Sequence, residues 1–540
     1  MKHNRLQKKT FWVEYTLVSF LFLLMTLPFF QKMPMSESVY FWAEADSWQR
    51  VFQNSWHPPV YLIVLRLFWL ISRGAFWGGY LPGFISVLLS AWIILKLANR
   101  GSQLWSKGSR FVLIAAYLAL PGVMQGIFIL DIDQTLLTPI LLLLTLIGFN
   151  WLKTRQIFDL MMLGLVLLLA LWTKMTTPVL WMGAFGLYLL LMKEWKAALL
   201  EISPLFLIVF ILFVVSYGWL YTDWVLNGYG AFQFSGGKTL SLLQGRNTFQ
   251  LSLRDLFFSV GSSMGALLAW GSLLLGGAVL LLIPRWFREL NSIARFSLLF
   301  SVIILLAYTL ILKVQATAGF PKYHYPMYSF LFIAASKFLQ KVQIHWNLRH
   351  FYFFLSAFGI CWLFIGDHLL QFYSLGRSRQ LFALAEVLIL QLGILAVLLF
   401  GGFWFFHKGD TSPGWSGILL IVMLGSSVGG WLPRMQADYA TNYFYGVRGT
   451  EETVRKVSEL PADASIYFPF GGLFLENREE LTAYGDIRGQ DHERPETDFL
   501  VMSRHVLDSG VWFFKRDYVE KHYHLREKLK DYEIWEKSDD

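Results

Sequence analysis

Long apolar runs alternate with short polar stretches along almost the whole chain. Runs of roughly 17–25 apolar residues can cross a hydrocarbon core ~30 Å thick. They predict membrane-crossing helices over about 12–30, 81–98, 110–128, 134–150, 158–173, 177–192, 198–220, 257–283, 294–312, 323–340, 351–370, 381–401 and 415–433. The pattern changes after residue 433. There "TEETVRKVSEL" (450–460) has helical periodicity, whereas "ASIYFPF", "DFLVMSR" and "DYEIWEK" read as strands, with a charged helix near 516–530. The expected organisation is a membrane domain over 1–433 and a soluble α/β domain over 434–540.

One apolar segment does not fit the series. "VYLIVLRLFWLISRG", following His57-Pro58-Pro59, is short for a span and carries Arg66 near its middle. A charge at the bilayer centre costs about 2.5–3.5 kcal/mol even on lenient insertion scales. If 59–73 crossed, the basic loops at 99–110, 152–156, 193–196, 284–289 and 341–350 would all lie opposite the basic N-terminal "MKHNRLQKKT". If it lies on the surface, all of them join the N-terminus in the cytoplasm, as the positive-inside rule requires. The expectation is thirteen spans plus one interfacial helix, with the tail outside the cytoplasm of a bacterial inner membrane.

Composition sharpens this picture in three ways. With 55% hydrophobic residues, the chain could not cover its apolar surface as a soluble protein. The net charge of +9 is not a nucleic-acid signature, because residues 434–540 hold 15 basic and 22 acidic residues, which leaves the excess beside the membrane. The single cysteine, Cys361, excludes a disulfide framework and a cysteine-based metal site. The first apolar run is longer than a signal-peptide core and ends in "LPFFQKMP", so it reads as a retained anchor.

On this topology four segments meet at the outer face: the stretch Ser36–Trp69, "LDIDQTLLTP" (130–139), 221–256 and "KVQATAGFPKYHYP" (313–326). They carry the acids Glu37, Glu44, Asp46, Asp131 and Asp133 and the cations Lys238, Arg246, Lys313, Lys322 and His324; Lys174 in "WTKMTTP" faces the same space. Each cation alone could simply snorkel toward lipid headgroups, and each loop acid could simply be solvated. Together they offer cations for a lipid phosphate and carboxylates to take a proton from an attacking hydroxyl. Asp131 and Asp133, spaced D-x-D, also leave a divalent cation open as a cofactor. A secondary transporter would instead place its charges near the midplane of two repeated halves. Here the charges sit at helix ends and no repeat is visible.

The order of these segments resembles the family-39 branch of the GT-C glycosyltransferases, which includes protein O-mannosyltransferases and the lipid A aminoarabinose transferase. The resemblance rests on an acidic first outer loop before "HPPVY", then "LDIDQTLLTPILLLLTL", "WTKMTTPVL", "KYHYPMYSFLFIAA" and the tail "YFYGVRGTEETVRKVSELPADASIYF". It implies a polytopic α-helical GT-C fold. It also implies transfer, with inversion, of a sugar from a polyprenyl-phosphate donor to a glycolipid, glycan or protein acceptor outside the cytoplasm. An oligosaccharyltransferase or ligase is the nearest alternative. The implied catalytic residues are Glu37, Asp133 and Asp131, and the implied binding residues are Tyr40, His57, Lys174, Arg246, Lys322, Tyr323 and His324. Two positions depart from the branch: Ser36 stands where an Asp is usual, and Lys322 where an Arg is usual. An ammonium holds phosphate as a point charge without the bidentate fork of a guanidinium.

Overall fold

The computed structural model describes residues 2–31, 37–53, 58–100, 107–192, 195–220, 278–308, 322–339, 348–374, 396–406, 415–436, 449–461, 463–468, 497–504 and 515–538, with a few single residues between. The helices of the first part are α1 (Lys2–Thr26), α2 (Glu37–Glu44), α3 (Trp48–Gln53), α4 (Val60–Ser72), α5 (Phe76–Asn99), α6 (Lys107–Leu118), α7 (Pro121–Gly126), α8 (Thr138–Thr154), α9 (Ile157–Thr173), α10 (Thr176–Leu190) and α11 (Trp195–Leu220). Among the described residues, four helical stretches are long and apolar enough to cross a membrane: Trp12–Phe29, Phe76–Asn99, Asp133–Thr154 and Trp195–Trp219. Shorter apolar helices include Ser292–Leu306, Leu348–Cys361, Ala396–Phe406 and Gly417–Gly429. The expected spans 257–283 and 381–401 lie largely outside the described residues.

Burial separates central from peripheral helices. The α5 and α8 stretches are each 67% buried inside the bundle, whereas those of α1 and α11 are 22% buried and present Leu, Ile and Phe outward. A helix that is apolar all round yet barely covered by protein needs lipid as its other partner.

Close packing at the centre depends on missing side chains. A Cβ at Gly83 on α5 would stand 2.9 Å from the carbonyl oxygen of Ile127, so the chain just before the D-x-D acids can lie against the helix backbone. Three residues along the same face, the Ser86 hydroxyl donates to the carbonyl of Thr135. The helices Leu348–Ser374 and Trp415–Gln436 use the same device, with Gly425 and Gly429 facing the backbone of Phe354 and Phe358. At Gly429 a Cβ would lie 2.3 Å from the Phe358 carbonyl oxygen. Gly429→Leu should therefore force these helices apart and destabilise the protein by roughly 1–3 kcal/mol or more. Gly183→Leu, where a Cβ meets nothing within 4 Å, should leave thermal unfolding in detergent unchanged. Equal midpoints for the two variants would contradict the packing.

Three expectations need correction. The span expected over 110–128 is two helices, because the chain leaves the helix at Ala119–Leu120 and Pro121 restarts it. The expected helix 134–150 begins earlier, as a π-helical turn over Asp133–Leu137 that runs into α8. In the tail, the charged helix expected near 516–530 covers only Arg516–His522, and Tyr523–Leu529 is a strand. The tail sheet runs β1 (Ile466–Tyr467), β2 (Phe499–Ser503), β4 (Tyr532–Lys537), β3 (Tyr523–Leu529), with β1 parallel to β2 and the other pairs antiparallel. Pairing with β4 outweighs the helical propensity of "HLREKL", whose charges suit an exposed edge strand.

Candidate active site

The site forms where the D-x-D segment enters α8 and where α9 turns into α10. Helices α8 and α9 are joined by the turn holding Arg155, so the start of α8 and the end of α9 lie together at the opposite end of that hairpin. Asp133 heads the π-helical turn, and its carbonyl accepts from the Thr138 hydroxyl at 2.7 Å. Local π-helical widening often accompanies functional sites. Lys174 ends α9 in an extended conformation (φ −162°, ψ 138°), and its amide still donates to the Ala170 carbonyl at 2.9 Å.

These two residues form a buried ion pair. The Lys174 ammonium donates to Asp133 Oδ2, with both side chains closed off from solvent. Removing two charges from water costs several kcal/mol each unless the pair is well made. Aromatic faces complete the ammonium's surroundings, with Tyr323 at 4.7 Å and Tyr308 at 5.8 Å from ring centre to Nζ. Tyr308 is fixed in turn by the hydroxyls of Thr177 at 2.7 Å and Thr176 at 3.0 Å. Its ring stacks on Tyr323 at 5.7 Å and meets buried His324 edge-on at 5.8 Å.

The opening segment reaches the same place. Within α2, buried Ser38 accepts the amide N–H of Leu130 at 3.0 Å, one residue before Asp131. Glu37 is the first residue of that helix, so the first-loop acid and the D-x-D segment converge through their backbones. Asp131, like Asp133, is buried.

Of the expected site residues, the structure thus brings Asp133, Lys174, Tyr323 and His324 together, buries Asp131 two residues before Asp133, and places the backbone of Glu37 near that segment through Ser38. Tyr40 lies on α2, and Lys322 opens the 3-10 turn Lys322–His324, beside Tyr323. Arg246, His57, Lys238 and Lys313 lie outside the described residues. Glu44 closes α2, and Asp46 is spent on an exposed ion pair with Arg50 at 2.7 Å. Residues that sequence reasoning passed over include Tyr308, Thr176, Thr177 and Ser38. A tyrosine hydroxyl inside an apolar run needs a partner, which was the available signal for Tyr308.

The expected D-x-D acids do not by themselves form a cation cage among the described residues. The carboxylate of Asp133 already faces an ammonium, and among the described residues no group of three His, Cys, Asp or Glu side chains converges. The hard oxygen cage that such an ion needs is not assembled by these residues.

Comparisons with known proteins agree with this architecture. The family profile of dolichyl-phosphate-mannose-protein mannosyltransferases matches residues 56–221. No curated protein sequence matches. Among solved structures, ArnT from Cupriavidus metallidurans bound to undecaprenyl phosphate superposes with a TM-score of 0.56 at 14% identity, covering 97% of each chain. The same protein in the apo state gives 0.54 at 14% identity over 98% of each chain. The chain carries the helical fold of the GT-C glycosyltransferases, with a small C-terminal sheet domain, and resembles their family-39 branch.

Proposed function

We propose that the protein is a membrane glycosyltransferase that moves a sugar from a polyprenyl-phosphate carrier to an acceptor hydroxyl on the non-cytoplasmic face. The observation that carries this reading is the buried Asp133–Lys174 pair, walled by Tyr308 and Tyr323 and joined to the first-loop helix through Ser38. It lies at the end of the α8–α9 hairpin opposite basic Lys153 and Arg155, which supports a site away from the cytoplasm. The likeness to a structure holding undecaprenyl phosphate supports the carrier class.

The reaction asks little acid chemistry of the protein. Glu37 takes the proton from the acceptor hydroxyl, and the oxygen bonds to the anomeric carbon from the face opposite the carrier. The bond from that carbon to the phosphate oxygen breaks, its electron pair leaves with polyprenyl phosphate, and the anomeric centre inverts. The leaving group is stable as an anion, so a cation serves it better than a proton donor. Lys322, at the head of the turn carrying Tyr323 and His324, supplies that charge, with Arg246, His57 and Tyr40 completing the substrate contacts. Asp133 and Lys174 hold the Tyr308 and Tyr323 rings in place beside the site, and Asp131 orients the acceptor. The acceptor is a glycolipid, glycan or protein hydroxyl.

The phosphate site can be tested without knowing the sugar. Undecaprenyl phosphate titrated into detergent-purified protein should raise the unfolding temperature. Lys322→Glu should weaken binding more than ten-fold, a loss above about 1.4 kcal/mol, with Lys313→Glu within about two-fold. Small and equal effects at both positions would remove the Lys322–His324 turn from the site.

A further inference from the structure

Arg66 sits in the middle of an otherwise apolar surface helix, and nothing in the reaction above uses it. On one face of α4, Leu67, Leu70 and Ile71 are exposed, whereas Tyr61, Leu62 and Leu65 are buried. Arg66 lies between these faces and turns inward. Its Nη1 donates to the carbonyl of Ala45 at 3.2 Å and to that of Asp46. The guanidinium lies over the Trp69 ring at 4.8 Å and the Trp48 ring at 5.9 Å. Its partners are therefore the carbonyls immediately after α2.

Those carbonyls have a specific need. They follow the end of the helix, where the last carbonyls have no amide ahead of them and form the negative end of the helix dipole. At eight residues, α2 is too short to be stable alone in water. Arg66 caps its C-terminal end, Tyr61 packs edge-on against Phe41 at 5.1 Å, and Trp42 Nε1 donates to the Gly74 carbonyl at 3.0 Å. At the other end, Ser38 holds the Leu130 amide. The short helix is thus a strut between the surface helix and the D-x-D segment, with Glu37 as its first residue.

We propose that Arg66 is a positioning residue: by capping α2 from the surface helix, it sets where Glu37 stands relative to the Asp131–Asp133 segment. This rests on the glycosyltransferase reading above. It also gives the one charge of an otherwise apolar helix hydrogen-bond partners inside the protein. A lysine in its place would keep the charge but lose the planar face that rests on the two indoles.

The test uses the full-length protein in detergent. The donor is the polyprenyl-phosphate sugar fraction extracted from membranes of the source organism, and those membranes serve as acceptor. Arg66→Met should lower kcat more than about ten-fold with the donor KM within about two-fold, the pattern of a lost transition-state arrangement. Arg66→Lys should recover part of that loss. In a Glu37→Gln background, Arg66→Met should add less than about two-fold, because both changes act on one group. Purely additive losses, a change confined to KM, or full activity of Arg66→Met would overturn the proposal. Failure of Arg66→Met, Arg66→Lys and Arg66→Gln alike to give monodisperse protein would also overturn it, in favour of a role in folding alone. The Glu37→Gln single variant reads the function separately: wild-type turnover there would count against Glu37 as the base, whatever Arg66 does.

Discussion

Lys174→Met should unfold at a markedly lower temperature than the wild-type protein, with a loss of about 3–5 kcal/mol, the usual cost of stranding one member of a buried ion pair. The carboxylate of Asp133 would remain in the closed interior without its ammonium. The double variant Lys174→Met with Asp133→Leu removes both charges and should recover most of that stability, because a buried pair contributes little net stability over an apolar substitute. Neither variant should transfer sugar. Thermal unfolding of the wild type and both variants in one detergent checks this. A single variant as stable as the wild type would mean that the two side chains do not meet.

Glu37→Gln should behave in the opposite way. It keeps the shape of the side chain and removes the group assigned to take the acceptor proton, so turnover should fall roughly 100-fold or more with stability unchanged. Asp133→Asn should lower both, because it removes the carboxylate paired with the buried Lys174 ammonium. The two acids are therefore separable by measuring activity and unfolding together. If Glu37→Gln turns over normally, the proton goes elsewhere, and Asp131 is the next group to replace.

Much of this arrangement could be read from the chain, and the parts that could not have physical reasons. Hydropathy identifies the membrane class and marks 59–73 as exceptional; that segment forms the 13-residue helix Val60–Ser72, whose Arg66 donates through Nη1 to the carbonyls of Ala45 and Asp46. The D-x-D acids and Lys174 stand out because charge beside apolar runs demands a partner. What the sequence cannot display is that they are each other's partners, 41 residues apart. That pairing depends on how α8 and α9 pack. Tyr308 was lost inside an apolar stretch, since nothing local shows that its hydroxyl meets Thr176 and Thr177. The strand Tyr523–Leu529 reads as helix because its charges suit either state, and only pairing with β4 decides between them. Asp46, which the sequence groups with the other outer-face acids, pairs with Arg50 one helical turn away.

The central claim is that sugar leaves a polyprenyl phosphate at this site. The most direct measurement is mass spectrometry of the carrier lipid and of the acceptor fraction in one reaction, with purified protein, extracted donor lipid and source membranes. The account predicts that free polyprenyl phosphate accumulates in step with sugar gained by the acceptor, and that both signals fall together in Glu37→Gln. Sugar gained by the acceptor from a nucleotide sugar, with the lipid donor untouched, would contradict it, as would a lipid donor left intact with no acceptor modified.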